Sequence, residues 1–474
     1  MLLHAAGGVE GSFRQKHNAA RDAVNYRQSN EGKISDGGEE KLDAMFAPML
    51  LRRSRRNEAK IEKQLTRHIL ANMDTSSDPC DDFYRYSCGG WINQNQIPPD
   101  QSIWGTLDQI QRVNDEKLSK KLGEIDVSGL AASSAVWKAK MIFDQCVDEN
   151  RTDARTPALM RETAREIAMS TPGVAESGRV SEEGKTNLKN AYYEQKALED
   201  WDFNAALIRA HKFYGSKSLF DFFPFTDNFV FKRRILKFEE GGLAFSNPAY
   251  FKNPNKTTPY RDLVLGVAKE ALLLSDADAA RFAGNLMRFE EDLAAIYVKP
   301  EEKVDTGQTF HKVPLRRLFD GQSANDSSSS NSSSNSSTNS SSSLKIDWLR
   351  MLEAHGLFNF TPDTPVDLSN LPYFSNLNRL VAASRKERLR DYLVWTVINV
   401  QKTSVLPTPI QSLYREYRRR VYGKTSDHPL PIRCLKIVAK IFPFTVSFLY
   451  QNASFPSSHK KYITSLVKVD SVIC

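Results

Sequence analysis

Histidine is the first residue type to examine for chemistry, because zinc hydrolases grip their metal with two imidazoles one helical turn apart. His4, His17, His68, His211, His311, His355, His428 and His459 stand far apart, and no two are separated by four residues. The sequence contains no H-E-x-x-H, no G-x-S-x-G elbow, no G-x-x-x-x-G-K-[ST] phosphate loop and no G-x-G-x-x-G turn. Each histidine is therefore read as a surface or core residue. The acidic run Glu290-Glu291-Asp292 is read as the solvated face of a helix, since paired acid and base would need a pocket around them. Five cysteines, Cys80, Cys88, Cys146, Cys434 and Cys474, are too few for a disulfide-dense scaffold. Cys80 and Cys88 are too widely spaced for a C-x-x-C zinc knuckle, so a structural role is expected of the set.

The elements that must position any site come from the pattern of the whole chain. Of 474 residues, 40% are hydrophobic and 26% charged, which is the makeup of a globular protein and excludes fibrous or wholly disordered classes. The net charge of +8 is spread thinly, and the densest basic block is only Leu51-Arg52-Arg53-Ser54-Arg55-Arg56. A dedicated nucleic-acid binder is not expected from that distribution. The most apolar stretch, Cys434 to Tyr450, is interrupted by Lys436, Lys440 and Pro443, so it reads as core and no transmembrane segment is expected. Met1-Leu2-Leu3-His4 turns polar at once, without the layout of a secretory signal.

Residues 1–65 lack a sustained apolar period and are expected to form a disordered leader. Leu107, Ile110 and Val113, followed by Leu118, Leu122 and Ile125, predict an amphipathic helix with one buried stripe. The spacing of Phe282, Leu286, Phe289, Leu293 and Ile296 predicts a stronger helix, with Ser275 and Asp278 as a capping box. The Phe- and Val-rich stretch from Phe213 to Tyr250, punctuated by Gly241-Gly242 and Pro248, suits a short strand or two. Helical periods resume from Leu263 to Leu274 and from Tyr392 to Val400. A Ser/Asn low-complexity insertion, 321–343, contains only Ser, Asn and Thr from 327 onward and is expected to be a solvated loop or linker. N-x-S/T sequons begin at Asn150, Asn255, Asn325, Asn331, Asn335, Asn339, Asn359 and Asn452, which suggests a glycoprotein.

One segment is far more specific: Asp78-Pro79-Cys80-Asp81-Asp82-Phe83-Tyr84-Arg85-Tyr86-Ser87-Cys88-Gly89-Gly90-Trp91, read as ending in a Gly-Gly-Trp turn. It closely resembles the N-terminal signature of the neprilysin and endothelin-converting enzyme family of zinc metallopeptidases. Ile97-Pro98-Pro99-Asp100 and Ser102-Ile103-Trp104-Gly105-Thr106-Leu107 continue the match. It persists in order through Cys146-Val147-Asp148-Glu149, Gly241-Gly242-Leu243, Asp347-Trp348, Leu371-Pro372-Tyr373-Phe374 and Tyr392-Leu393 with Trp395. The resemblance covers residues 72–474, apart from the low-complexity insertion.

That resemblance implies a mainly α fold, the N-terminal helical lobe of a neprilysin-like peptidase with a few short strands. It implies that the zinc-binding H-E-x-x-H, its third-ligand glutamate and a substrate-gripping N-A-Y/F-Y strand belong to a C-terminal part not found in this sequence. Asn190-Ala191-Tyr192-Tyr193 spells that strand motif but has no zinc helix downstream, so it is read as a decoy. The resemblance implies a Cys146–Cys434 disulfide and leaves Cys80 and Cys88 without partners in this chain. Pro431-Ile432-Arg433 before Cys434 departs from the family's usual pattern. Where several members carry a carboxylate-clamping arginine, this chain has Ile103, which argues against that mode of carboxy-terminal recognition.

The expectation is therefore the N-terminal portion of a neprilysin-like zinc metalloendopeptidase, inactive alone, arising from a truncated product or an incomplete gene model. No cofactor is expected in this chain, zinc belonging to the complete family enzyme. The alternative is a non-catalytic module that binds peptides or a metallopeptidase catalytic lobe. An extracellular or plasma-membrane-associated location follows from the resemblance.

Overall fold

The computed structural model describes residues 62–172, 192–193, 195–228, 230, 232–303, 310–322, 344–400 and 406–454. Of the expected leader, 1–65, residues 1–61 lie outside the described residues while 62–65 are helical, and of the Ser/Asn insertion, 321–343, residues 323–343 lie outside them. The chain divides into two units, 1–96 and 97–474.

In the first unit, residues 62–72 are helical and are followed by α1, Phe83–Gln94. Asp82 caps α1 by accepting from the Arg85 amide, and Asp78 accepts from the Cys80 amide two residues on. Gly89-Gly90-Trp91, expected as a turn, lies inside α1 instead. Its glycines serve close approach: a Cβ on Gly90 would stand 2.5 Å from the Ala71 carbonyl oxygen and 2.6 Å from that of Met73. The two helical segments of this unit therefore meet backbone to backbone. Phe83 and Tyr84 are left exposed, each at 69%.

The second unit is mainly helical. Besides a short helix at Gln195–Glu199, its helices are α2 (Thr106–Gly123), α3 (Ala135–Val147), α4 (Glu149–Ala168), α5 (Phe203–Tyr214), α6 (Pro254–Leu272) and α7 (Asp276–Ala295). Then follow α8 (Trp348–Ala354), α9 (Leu371–Ala383), α10 (Lys386–Val400), α11 (Thr408–Tyr422), α12 (Leu430–Ile441) and α13 (Pro443–Ser454). Four strands, β1 (Phe220–Thr226), β2 (Arg234–Glu240), β3 (Lys312–Pro314) and β4 (Pro365–Leu368), form one sheet in the order β1-β2-β4-β3. β1 and β2 fall in the Phe-rich stretch expected to hold a short strand or two, and they pair antiparallel as a hairpin with Phe222 opposite Phe238. β4 joins β2 in parallel, Leu236 opposite Val366, and β3 closes the sheet antiparallel to β4.

Local chemistry fixes the helix ends. Ser275 caps α7 by accepting from the Asp278 amide, and Gly215 and Gly423 end α5 and α11 in the left-handed conformation. On α7, Phe282, Leu286, Phe289 and Leu293 are fully buried, as their spacing predicts. Glu290, expected on the solvated side, is buried as well, beside Tyr260, because α6 and α10 cover both shoulders of the stripe. α10 is the central helix: its residues from Leu389 to Ile398 are all buried. Tyr392 on α10 accepts from the Leu219 amide and donates to the Gly242 carbonyl. Gly242 has φ of 89°, and a Cβ there would collide with the Tyr392 hydroxyl.

A smaller core lies around the Cys146–Cys434 disulfide, which ties α3 to α12 across 288 residues. Leu118 and Leu122 of α2, Phe143 of α3 and Leu435 and Val438 of α12 pack there. The stripe expected along α2 is buried only in this second half. Leu107, Ile110 and Val113 remain exposed at 80, 54 and 47%. No helix among the described residues is long and apolar enough to cross a membrane.

Candidate functional site

A cluster of charged side chains lies where α11, the loop after it and α12 meet the segment leading into α2. Two acids fix its geometry. Asp100, 4% exposed, accepts from Nη1 and Nη2 of Arg112 at 3.1 and 2.9 Å and from Nδ1 of His428 at 2.7 Å. The Arg112 guanidinium lies over the Trp104 ring, 5.8 Å from its centroid. Trp104 thus backs the arginine that holds Asp100, and Asp100 holds a histidine 328 residues away. Thr425 and Ser426 donate their amides to the Pro99 carbonyl and fasten the loop to the same segment. Asp427 accepts from Arg418 Nη2 at 2.5 Å, Gln411 Nε2 at 3.0 Å and Arg415 Nε at 3.3 Å.

Both carboxyls are held below their ordinary range. Burial is the largest single influence on each and pulls upward, but donors outweigh it: Arg112 and His428 at Asp100, and Gln411, Arg418 and Arg415 at Asp427. Three basic groups also lie below their ordinary range. Burial lowers Lys424, and the nearby Arg418 and Lys436 lower it further. Burial likewise lowers Arg433 and His428.

Three cavities adjoin here. The first, about 300 Å³, is lined by Arg418, Lys424, Arg433, Lys436 and Lys440 against only Asp100 and Asp427 as acids. Five cations against two carboxylates leave three net positive charges. The second, about 380 Å³, shares Arg418 and Lys424 and is otherwise lined mainly by Tyr260, Tyr414, Tyr417 and Tyr422, with Ser102 at its edge. The third, about 330 Å³, shares Asn399 with the second and Lys440 with the first. Through these shared residues a basic cavity and a tyrosine-lined cavity lie side by side. Such a surface can hold an extended chain carrying an anionic group and an apolar side chain.

Of the residues singled out in the sequence, Trp104 and Gly105 belong to this site, Gly105 as the extended N-cap of α2. Ile103 beside them is 73% exposed. Cys146 and Cys434 are joined behind α12. Cys80, exposed, and Cys88, half-buried, are free thiols in the first unit, where Asp78, Pro79, Phe83, Tyr84, Gly89, Gly90 and Trp91 also lie. Asn190 and Ala191 lie outside the described residues. Tyr192 and Tyr193 are used internally, donating to the two carboxylate oxygens of Asp391 at 3.0 Å each. Sequence reasoning missed Lys424, Arg418 and Asp100. Their one legible signal was the run of arginines in α11 with no acidic run to match it.

The chain spans about half the length of the relatives it resembles. It is 23% identical over 415 residues to endothelin-converting enzyme-like 1 of Rattus norvegicus, covering 87% of this chain and 48% of that protein. It is 23% identical over 408 residues to human neprilysin, covering 84% and 50%, and 24% identical over 398 residues to neprilysin-3 of Drosophila melanogaster, covering 83% and 46%. Its fold matches the crystal structure of Mycobacterium tuberculosis zinc metalloprotease ZMP1 in complex with an inhibitor, with a TM-score of 0.64 and 15% identity over 84% of this chain and 53% of that one. PEPO from Lactobacillus rhamnosis HN001 matches at 0.58 and 14%, covering 83% and 54%.

The zinc in the name of the Mycobacterium tuberculosis protein can be tested against the residues present. Among the described residues no three His, Cys, Asp or Glu side chains converge to hold a metal. His211, His311 and His355 each direct a ring nitrogen to a backbone carbonyl, and His428 directs one to Asp100. These residues do not fit a zinc ion. The family's N-terminal model matches residues 79–469, most of the sequence, and the chain belongs to peptidase family M13.

Proposed function

We propose that this chain is the N-terminal, peptide-enclosing part of a neprilysin-like metalloendopeptidase, shaping the space a peptide enters while holding no bond-cleaving group. The observation that carries this reading is the pair of adjoining cavities, one basic and one tyrosine-lined, that share Arg418 and Lys424. No zinc step is derived for it, because the donor set a metal requires is not assembled from its described residues. Peptides are the partners it contacts, and hydrolysis belongs to groups outside it. The reading carries with it an extracellular or plasma-membrane-associated location, supported by the Cys146–Cys434 disulfide and by the exposed sequon residues Asn150, Asn255 and Asn359. The test is to measure zinc content and peptide binding on the purified chain after dialysis. Peptide binding without bound metal is expected. Stoichiometric zinc retained through dialysis overturns the reading.

A second reading has its own observation. Leu107, Ile110 and Val113 repeat along one face of α2 and are left open to solvent, as is Ile103 just before them. A face of this kind suits a module that docks on a catalytic lobe. Titration with the separately produced C-terminal half of a neprilysin-like peptidase tests it. Saturable binding lost on Leu107→Glu supports docking, and equal binding by the variant removes it.

A further inference from the structure

We propose that the basic cavity between α11 and α12 is a carboxylate-recognition pocket, with Lys424 and Arg433 as its ligating cations and the tyrosine-lined cavity as the seat of the neighbouring apolar side chain. This deepens the peptide reading above and rests on it.

The acids of the pocket are already committed. Asp100 is engaged by Arg112 and His428, and Asp427 by Arg418, Arg415 and Gln411. Lys436 reaches Asp115 only at 3.9 Å. Among the described residues, no carboxylate pairs with Lys424, Arg433 or Lys440. Arg433 is the most telling of these, because its Nε is buried and has no hydrogen-bond acceptor among the described residues. A buried guanidinium N–H without an acceptor is costly, so the Arg433 guanidinium is short of partners within the fold, and the same side chain lines the cavity. Arg433 is also held in place by its neighbour Cys434, whose disulfide anchors the first turn of α12. Lys424 follows Gly423, whose left-handed φ of 71° ends α11, and it lines both cavities.

The chemistry of the occupant follows from the surroundings. The net positive charge attracts an anion, but Asp100 and Asp427 on the lining disfavour a dianion more than a monoanion. The adjoining cavity, sharing Lys424 and Arg418, offers tyrosine rings to an apolar group attached to that anion. A carboxylate one residue from an apolar side chain meets both conditions. It can be the terminal carboxylate of a peptide or an internal Asp or Glu.

The experiment uses the full chain and five probes: a fluorescent pentapeptide with a free C-terminus, its C-terminal amide, the amide with one internal Glu, N-acetylphenylalanine and N-acetylphenylalaninamide. Each is titrated into wild type, Lys424→Met and Arg433→Gln, with melting curves to confirm folding. Because Arg433 adjoins the disulfide, Lys424→Met serves as the independent variant. A charge-assisted contact removed from a concave site should cost roughly tenfold or more in affinity. Preference for the free acid over the amide, abolished in Lys424→Met, supports the pocket with a terminal carboxylate. Binding of the amide only when Glu is present, again abolished, supports it with a side-chain carboxylate. Equal binding of all peptides by wild type and both folded variants overturns the pocket and leaves peptide binding standing. If no peptide binds, N-acetylphenylalanine decides: saturable binding dependent on Lys424 keeps the pocket and removes the peptide reading, and no binding removes both.

Discussion

The Tyr192 hydroxyl donates to Oδ1 of Asp391 at 3.0 Å, joining residues 199 apart in sequence within the buried interior. Tyr193 and Asn285 donate to the other oxygen, at 3.0 and 2.8 Å. Arg390 stacks on the Tyr192 ring, 4.5 Å from its centroid. The tyrosines of a sequence that spells a substrate-strand motif thus hold the central helix α10 in place. Tyr192→Phe should destabilise the chain by about 1–3 kcal/mol through the donor lost to Asp391. Urea melts of the variant check this, and an unchanged midpoint contradicts it.

Asp391 gives a pH dependence with a definite sign. Burial is the largest influence and pushes its carboxyl up to about 7, in spite of Arg390 and the three donors around it. An unfolded Asp titrates near ~3.9. The folded chain therefore holds this proton more tightly, so the contribution is fully present below the unfolded value and is lost as pH rises through about 7. Asp391→Asn should remove that loss. The stability difference between variant and wild type, followed from pH 4 to pH 8, should move in favour of the variant as pH rises.

His211 acts in the opposite sense. Burial lowers its imidazole to about 4, with His355 adding repulsion and the Ser218 carbonyl and Asp221 opposing. Phe220 and Phe222 pack on the ring. The neutral ring is the one the fold accepts, so its contribution is present above the ordinary value of about 6.5 and is lost as pH falls through about 4. His211→Gln should reduce the acid sensitivity of stability across that window. Because His211 and Asp391 oppose each other there, single-variant difference curves are the informative measurement.

The disulfide should matter through the length of chain it closes. A loop of 288 residues is worth about 5–6 kcal/mol in the chain-entropy relation, an upper figure for real proteins. Cys146→Ser with Cys434→Ser should lower the melting temperature and loosen α3 and α12 first. Hydrogen exchange on those two helices reads the local effect. Unchanged protection there contradicts the anchoring role.

Gly90 has no room for a side chain. An added Cβ meets two backbone carbonyls, which cannot swing aside as a flexible side chain can. Gly90→Ala should open the packing of residues 62–74 on α1, seen as faster amide exchange in both. Unchanged exchange there removes the close-packing account of the Gly-Gly pair.

What the sequence disclosed, and what it hid, divides along physical lines. The stripe from Phe282 to Leu293 was legible because a helix buried along one face repeats its pattern locally. Glu290 was misplaced because its position on the shoulder of the stripe does not reveal that Tyr260 and α10 close over it. Leu107, Ile110 and Val113 show the converse, since periodicity names the apolar face of α2 without naming anything that covers it. The pair of cavities was hidden for a different reason. Asp100 and His428 meet only after 328 residues of chain have folded, and no local spacing encodes that meeting. The cysteine pair became legible through family resemblance, and the strands β3 and β4 are too short to carry a signal of their own.

The central claim is that this chain contacts peptides and does not cut them. The most direct measurement is mass spectrometry of a defined peptide pool incubated with the purified chain and added zinc. The account predicts that every peptide is recovered at its starting mass, with those bearing a free carboxylate retained on the chain. Fragments that form with zinc and disappear with a chelator would contradict it.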